Sequence, residues 1–417
     1  MTYREDFSLK SVKMKESRVF RDAIHGYIKV DYLPIWRLIN SCEVQRLRRI
    51  KQLGGTYMVF QSAEHTRFVH SLGVYQVIRN MISLDQVKGH LSDYDKLCVL
   101  CAGLLHDIGH GPFSHAFESC FDLSHEDMTA RMILEESEVH EILMAVDPHL
   151  PEDVAHIIQK KNTKPLLIQM VSSQLDGDRM DYLLRDSYCA GVTYGQFDMS
   201  RILRTMRIKD NRIVFKESGV QAIENYILAR YHMYWQVYYH PTARSYEHLL
   251  HSIIMRIKDL YQEGYQFSYE LDYLMPFLKN EVSVKDYLQL DESVMFYYFK
   301  RCIEDDDEIL SDLCARFLNR RLFKYKSYET KEDLTHIQDV SLDKGFEPRY
   351  YVTSDDAKQI PYKHYGVIGH LEEIEILQPN GKVIPLPETS EIVQAILSAK
   401  AKQDKKVFFV KEIASAL

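Results

Sequence analysis

A dense group of histidines and aspartates lies between residues 65 and 125, and its centre reads HDIGHGPFSH over residues 106–115. Imidazole and carboxylate groups together suit Mn, Fe or Zn, whereas Mg prefers carboxylate and water. On a helix, His106 and Asp107 would lie about 100° apart, so both can reach one ion placed beyond the helix end. The glycines that follow allow close approach of the backbone. This pattern predicts a metal site.

Two further residues are candidate partners of this pair: His70 upstream and Asp178 downstream. Asp178 would share a helix face with Asp181, and His70 would share one with Arg67. Each face alone is also typical of a surface salt-bridge stripe, and a lone His-Asp pair is usually an ordinary polar pair. The pair at 106–107 differs because it follows a strongly apolar helix, where unpaired polar groups would be costly to bury.

Helical periodicity dominates the first three hundred residues. Apolar residues recur at helical spacing over 68–84, 94–108, 164–189 and 221–257, and the stretch 94–108 is apolar nearly all round, as a central buried helix would be. Ser124 followed by Asp127 predicts a helix start. A short hairpin with a turn at Asp210-Asn211 is expected over 207–216.

The pattern changes after about Arg321. Strands are expected over 350–353, 374–377, 383–386 and 407–410, with a turn at 379–381 and a helix over 390–401. We therefore predict a mostly α protein, with a helical region over 1–321 and a smaller mixed α/β region over 322–417.

Composition narrows the function classes. The chain has 417 residues, 52 basic and 60 acidic, so its net charge is −8. A chain-wide cationic surface for nucleic acid is therefore not expected. Seven scattered cysteines and no secretory segment predict a reducing, cytoplasmic setting. The longest strongly apolar stretch, 97–105, is far below the roughly 20 residues of a membrane span.

Five blocks of sequence carry a family resemblance: DAIHG at 22–26, QRLRRIKQLGG at 45–55, TRFVHSLGV at 66–74, HDIGHGPFSH at 106–115 and DRMDYLLRD at 178–186. Their content and order resemble the HD-domain deoxynucleoside triphosphate (dNTP) triphosphohydrolases, within the HD superfamily of metal-dependent phosphohydrolases. The resemblance implies a helical HD core and one divalent ion (Mn, Fe, Mg or Zn). It also implies hydrolysis of a dNTP to deoxynucleoside and inorganic triphosphate, and leaves open a second Mg carried with the nucleotide.

The resemblance also implies roles for individual residues. The metal ligands would be His70, His106, Asp107 and Asp178. The acid–base residues would be His110, His115 and His125, and we favour His125 as proton donor and His115 as partner of the attacking oxygen. The substrate would contact Gln52, Leu53, Arg67, Arg179, Tyr182, Asp186, Arg230 and Tyr238. Arg179 stands where the family commonly has Lys, and core packing is a rival role for Tyr238.

A second, allosteric nucleotide site and a homotetramer are further implications of the resemblance. The matching effector positions are Val19, Asn40, Gln45 and Arg48, on or near a basic segment that alone would indicate a solvated face. Asn40 replaces the Asp of guanine-selective relatives, and Pro241 replaces a phosphate-binding Lys. Both departures weaken any expectation of GTP activation.

Two functions other than dNTP triphosphohydrolase remain compatible with the sequence. One is an HD phosphomonoesterase or cyclic-nucleotide phosphodiesterase, which would not release intact triphosphate. The other is a nucleic-acid-binding scaffold with a vestigial site, which would bind single strands in a salt-dependent way.

Overall fold

Helices form most of the computed structural model, which describes residues 7–359, 373–398 and 402–417. The α-helices are α1 Leu33–Asn40, α2 Cys42–Arg46, α3 Arg67–Ser83, α4 Asp85–Lys88, α5 Asp93–Leu105, α6 His115–Phe121, α7 His125–Leu134, α8 Glu138–Met144, α9 Leu150–Ile158, α10 Pro165–Val171, α11 Gly177–Ala190, α12 Met199–Thr205, α13 Val220–Met233, α14 Pro241–Gln262, α15 Met275–Leu278, α16 Val284–Gln289, α17 Glu292–Cys302, α18 Glu308–Leu318, α19 Lys331–Asp343, α20 Pro348–Tyr351 and α21 Glu391–Ser398. The predicted mostly helical fold with small sheets toward the C-terminus is confirmed.

The strands and short helical turns connect these helices. The strands are β1 Lys13–Asp22, β2 Gly26–Tyr32, β3 Met206–Lys209, β4 Arg212–Lys216, β5 Lys324–Ser327, β6 Val352–Gln359, β7 Glu375–Leu377, β8 Val383–Pro385 and β9 Lys402–Phe409. The 3-10 turns are Leu47–Arg49, Gly54–Met58, Glu217–Gly219, Leu386–Glu388 and Lys411–Ala416. A π-helical turn, Tyr234–Tyr238, separates α13 from α14.

The central helix α5 is buried along its length, as its apolar composition predicts. It begins at Ser92, whose hydroxyl accepts from the backbone of Asp95 while the Asp95 carboxylate accepts from the backbone of Ser92. From Leu97 onward every residue of α5 is buried. Helices α3, α9 and α10 pack against it, and α11 packs across α3. The polar residues that follow α5 therefore emerge at the centre of the helical core.

The segment 164–189 is not the continuous helix that its periodicity suggests. Helix α10 ends at Val171, and α11 starts at Gly177 because the Asp176 carboxylate accepts a 2.7 Å hydrogen bond from the backbone N–H of Arg179. This break puts Asp178 in the first turn of α11, beside the end of α5.

An N-terminal hairpin of β1 and β2 was not predicted. The two strands pair antiparallel, from Val19 opposite Lys29 to Asp22 opposite Gly26. The alternation that would signal these strands is weak: β1 is largely exposed, and Ile28 and Val30 are the fully buried apolar residues of β2.

The expected hairpin over 207–216 is confirmed as β3 and β4, with Asp210 and Asn211 at positive φ in the turn. Strand β4 also pairs in parallel with β7, which gives the sheet order β3-β4-β7-β8. A second sheet has the order β5-β9-β6. The four-stranded sheet thus joins strands from both sides of the predicted boundary at 321/322.

Two expectations for the C-terminal region differ in detail from the structure. The expected strand at 350–353 begins only at Val352, because Pro348 starts the short helix α20, which continues to Tyr351. The expected helix over 390–401 is α21, and residues 399–401 lie outside the described residues. In the described part of the chain, no helix combines the length and apolar composition that a membrane crossing requires.

Candidate active site

Three elements bring the four predicted metal ligands together. His70 lies on the first turn of α3, His106 caps the C-terminal end of α5 with Asp107 after it, and Asp178 lies on the first turn of α11. Nε2 of His70 lies 3.1 Å from Oδ1 of Asp178 and 3.7 Å from Oδ2 of Asp107. Nε2 of His106 lies 3.4 Å from Oδ1 of Asp107 and 3.6 Å from Oδ1 of Asp178.

These separations match the donor spacing of a metal site. Donor atoms about 2.1 Å from one ion lie roughly 3 Å apart when they occupy adjacent coordination positions. Two nitrogens and two carboxylates of this spacing leave coordination positions for water or a substrate oxygen.

Both imidazoles are oriented with Nε2 toward the cluster. Nδ1 of His106 lies 2.9 Å from the carbonyl oxygen of Gly103, and Nδ1 of His70 lies 2.8 Å from Oδ2 of Asp181. Each Nδ1 can donate a hydrogen to its oxygen, so Nε2 is the atom that would bind an ion in place of a proton. Nε2 of His106 is buried and has no hydrogen-bond partner among the residues that the structure describes. The donor set thus fits a divalent ion.

The electrostatics of the cluster also favour a bound cation. Burial opposes ionisation of Asp107 and Asp178, but the neighbouring cationic groups hold the pKa of both carboxyls well below the usual range. Burial alone would lower the pKa of His70, but its contacts with Asp178 and Asp181 raise the pKa to about 10. The cluster therefore attracts positive charge, which a proton or a metal ion can supply.

A second cluster adjoins the first and is centred on Glu118, a residue of α6 to which the sequence analysis gave no role. Oε2 of Glu118 lies 2.9 Å from Nδ1 of His125 and 3.3 Å from Nδ1 of His115. Oε1 lies 2.8 Å from Nδ1 of His110. Burial would raise the pKa of Glu118, but the three imidazoles hold it far below its usual value. One carboxylate therefore organises all three predicted acid–base histidines.

The three histidines differ in environment. His110 is buried, lies with Nε2 3.4 Å from Oδ1 of Asp107, and stacks on His125 at 3.9 Å between ring centroids. Burial and the nearby Arg67 lower the pKa of His110 to about 4. The side chain of His125 is 23% exposed and that of His115 is 73% exposed. His110 joins the two clusters, whereas His115 and His125 are accessible to solvent.

The loop between α5 and α6 allows this arrangement. A Cβ at Gly109 would lie 2.2 Å from the carbonyl oxygen of His125, so only glycine lets the loop approach α7 this closely. Phe113 and Ser114 adopt positive φ just before His115. The closely spaced glycines of the sequence predicted close approach, but not these two strained residues.

Several predicted substrate residues lie on or against α11, next to the predicted metal ligands. Tyr182 lies 6.4 Å from His70 between ring centroids, and the Tyr238 hydroxyl donates a 2.8 Å hydrogen bond to Asp186. The other oxygen of Asp186 lies 2.7 Å from Nε2 of His65. The sequence predicts no functional role for His65, because neither its burial nor its partner has a local sequence signal.

The predicted arginines have internal partners. Arg67 contacts Oδ2 of Asp107 at 2.5 Å and donates from Nε to Ser114. Arg179 donates from Nε to the carbonyl of Ser173, and Arg230 donates from Nη1 to Gln174. Arg67 thus lies against the predicted metal ligand Asp107, while the other two arginines both hold the loop that precedes α11.

Gln52 lies against His65, the partner of Asp186, and Leu53 follows Gln52 in the chain. The backbone N–H of Gln52 donates to the carbonyl of His65, and Oε1 of Gln52 is buried without a partner among the described residues. Leu53 is partly buried and directly precedes the 3-10 turn Gly54–Met58. The unpartnered Gln52 oxygen is suited to a polar ligand group.

The predicted effector positions lie around the N-terminal hairpin and α1. Val19 is 54% exposed on β1, and the exposed Asn40 donates to the carbonyl of Trp36. Gln45 accepts from Nε of Arg48, whose guanidinium stacks 3.6 Å from the Phe68 ring centre.

The basic segment near these positions contains Arg46, Arg48, Arg49 and Lys51. Most of these side chains already have partners within the protein. Arg46 is buried and donates to the carbonyls of Leu290 and His110, while Arg49 pairs with Asp291. Lys51 lies 3.6 Å from Glu292. Arg48 is therefore the exposed cation of this segment that has no acidic partner among the described residues.

Comparison with known proteins identifies this architecture. Residues 67–186 match the family model of the HD domain, and residues 197–350 match that of the HD associated region. A crystal structure of a phosphohydrolase from Bacteroides thetaiotaomicron superposes with a TM-score of 0.83 at 29% identity, over 95% of this chain and all of that one.

Related proteins are similar to this chain over most of its length. Uncharacterized protein YwfO of Bacillus subtilis is 46% identical over 96% of this chain and 94% of its own length. The protein named deoxynucleoside triphosphate triphosphohydrolase SAMHD1 homolog of Dictyostelium discoideum is 30% identical over 75% of this chain and 60% of its own length. With its conjoined HD domain and HD associated region, the chain belongs to the HD-domain family of phosphohydrolases.

Proposed function

We propose that this protein hydrolyses deoxynucleoside triphosphates to deoxynucleoside and inorganic triphosphate in a metal-dependent reaction. The observation that carries the proposal is the adjacency of the two clusters. Asp107 of the metal cluster lies 3.4 Å from His110, which in turn lies 2.8 Å from Glu118 of the acid–base cluster. Relatives named as dNTP triphosphohydrolases support this substrate class.

His70, His106, Asp107 and Asp178 would hold one divalent ion. When bound, the ion supplies Lewis acidity at the α-phosphate and lowers the pKa of a coordinated water. Asp181 and the Gly103 carbonyl hold the two imidazole rings so that Nε2 faces the cluster. The four donor groups neutralise the ion while leaving a site that can accept an anionic phosphate.

The Glu118 cluster would move the protons. Cleavage between the α-phosphorus and the 5′-oxygen needs an attacking oxygen and a protonated leaving oxygen. Because Glu118 accepts from Nδ1 of His115 and His125, Nε2 is the atom of each ring that can hold or move a proton at the substrate. His110 has a pKa of about 4, so it is neutral near pH 7. We assign proton donation to His125 and assistance to the attacking oxygen to His115.

The nucleotide would lie along α11. Arg179, Arg67 and Arg230 would supply positive charge to the phosphates, since guanidinium groups suit phosphate oxygens. Asp186, held by Tyr238 and His65, and Tyr182 would line the pocket. Gln52 and Leu53 would contact the sugar, with the buried oxygen of Gln52 available to a hydroxyl.

The same proposal includes assembly and regulation. Val19, Asn40, Gln45 and Arg48 would form an effector site for a second nucleotide, and the chain would assemble as a homotetramer. The free thiols of its seven cysteines are compatible with work in the cytoplasm.

A product assay tests the proposed reaction. Metal-loaded protein is incubated with each dNTP, each ribonucleotide, a phosphomonoester and a cyclic nucleotide, and the products are resolved by anion exchange. We expect inorganic triphosphate from dNTPs alone. Release of pyrophosphate or of single phosphates would instead identify another HD phosphohydrolase, and single-strand binding without turnover would favour a scaffold.

A further inference from the structure

The turn of the N-terminal hairpin is built into the metal site, although it lies outside the matched HD domain. Oδ1 of Asp22 accepts 2.9 Å hydrogen bonds from the backbone N–H groups of Ile24 and His25, which closes the turn before Gly26. The His25 side chain is only 3% exposed, so the ring is directed into the protein rather than into solvent.

His25 and the metal ligand His70 contact the same carboxylate. Nε2 of His25 lies 2.7 Å from Oδ1 of Asp181, and Nδ1 of His70 lies 2.8 Å from Oδ2. Both oxygens of Asp181 also accept from the guanidinium of Arg185. A carboxylate in this setting acts as an acceptor, so both ring nitrogens donate to it.

Arg185 connects the two ends of this network. It donates from Nε and Nη2 to the two oxygens of Asp181 at 2.9 Å each, and from Nη1 to Asp22 at 2.8 Å. All of these side chains are buried. One arginine faces two carboxylates, so the hydrogen bond from His25 is a substantial part of what holds Asp181 in place.

We propose that His25 is a positioning residue for the metal ligand His70 and acts through Asp181. The bond from His25 fixes the rotamer of Asp181, and Asp181 in turn fixes the ring plane and tautomer of His70. The hairpin is therefore part of the metal site. This inference rests on the metal site of the proposed function, but not on the identity of the substrate.

Metal affinity of His25 variants tests the inference without any turnover assay. His25→Leu removes the donor, whereas His25→Gln keeps an amide N–H near the position of Nε2. Metal-free protein is titrated with Mn²⁺ and with Co²⁺, and the Co²⁺ visible spectrum reports ligand geometry. We expect His25→Leu to bind about 10- to 100-fold more weakly with an altered Co²⁺ spectrum, and His25→Gln to stay within about 3-fold of wild type.

Val30→Ala is the matched control, since it removes buried apolar atoms from β2 without touching the network. Equal loss of affinity in Val30→Ala and His25→Leu, or unchanged affinity in His25→Leu, would overturn the inference. If His25→Leu does not fold, His25→Asn is measured instead. The shorter asparagine side chain cannot reach Asp181 with its amide, so we expect the same loss of metal affinity. Failure of the wild type to bind metal would overturn the proposed metal site. Inactivity toward dNTPs would overturn only the proposed substrate.

Discussion

Glu118 accepts a 2.9 Å hydrogen bond from Nδ1 of His125, a residue seven positions further along the chain. The same carboxylate group also contacts His110 and His115. Three imidazoles from a loop and two helices are therefore oriented by one side chain. This arrangement fixes which nitrogen of each ring is available for chemistry.

Replacement of Glu118 is expected to impair the chemical step and not metal binding. Glu118→Gln removes the carboxylate charge that faces all three rings and leaves one oxygen to accept from His115 and His125, so the tautomers and orientations of the rings change. We expect kcat to fall roughly 100-fold or more. Steady-state kinetics, with metal content measured on the same samples, checks this. Glu126→Gln, on the exposed face of α7, is the control. A wild-type kcat in Glu118→Gln would remove Glu118 from the mechanism.

His106→Ala and Asp178→Ala are expected to lose both metal and turnover while they remain folded. Each removes one donor from a cluster whose remaining carboxylates then lack their bridging cation. Elemental analysis after dialysis, together with product assays, measures both properties. The exposed residues His90 and Asp306 provide matched His→Ala and Asp→Ala controls. Full activity in either active-site variant would show that the replaced residue is not a metal ligand.

Gly73→Ala is expected to disrupt the support of His70. A Cβ at Gly73 would lie 1.9 Å from Oδ1 of Asp181, so the carboxylate would have to move away from both histidines. We expect a loss of more than about 3 kcal/mol in unfolding free energy. Gly89→Ala is the control, because a Cβ at Gly89 would have no other atom within 4 Å. Urea unfolding of both variants measures the difference, and equal stability would argue against tight packing at Asp181.

The contact of His65 with Asp186 should make stability depend on pH. Burial lowers the pKa of His65, but the hydrogen bond to Asp186 raises it to about 9, against 6.5 for an unperturbed histidine. Since the folded-state pKa is raised, the stabilisation is complete below about pH 6.5 and is lost as the pH rises through about 9. We compare the free energy of unfolding of wild type and His65→Gln. The difference should shrink by on the order of 2 kcal/mol as the pH rises from about 6.5 to about 9. A difference that does not change with pH would contradict an ionic contact.

Part of this site could be predicted from the sequence, and part could not. His106 and Asp107 were recognisable because polar residues directly after the apolar helix α5 need a structural reason to be there. His70 and Asp178 followed from helical faces and from the family resemblance.

Other contacts of the site left no recognisable pattern in the sequence. Glu118 looks like one more acidic residue of a short helix, and His65 and His25 meet their carboxylates across 121 and 156 residues of chain. The break between α10 and α11 depends on the Asp176 cap, which overrides the helical periodicity of 164–189. Likewise, the pairing of β1 with β2 is specified by few buried side chains, so period-two alternation could not reveal it.

We expect one cation to bind at His70, His106, Asp107 and Asp178, although the His110, His115, Glu118 and His125 cluster also groups metal-binding side chains. Crystals soaked in Mn²⁺ and measured for anomalous scattering distinguish the two clusters directly. We predict a strong anomalous peak within coordination distance of Nε2 of His70 and Nε2 of His106. A peak at Glu118 alone, or none at either cluster, would contradict cation binding at His70, His106, Asp107 and Asp178.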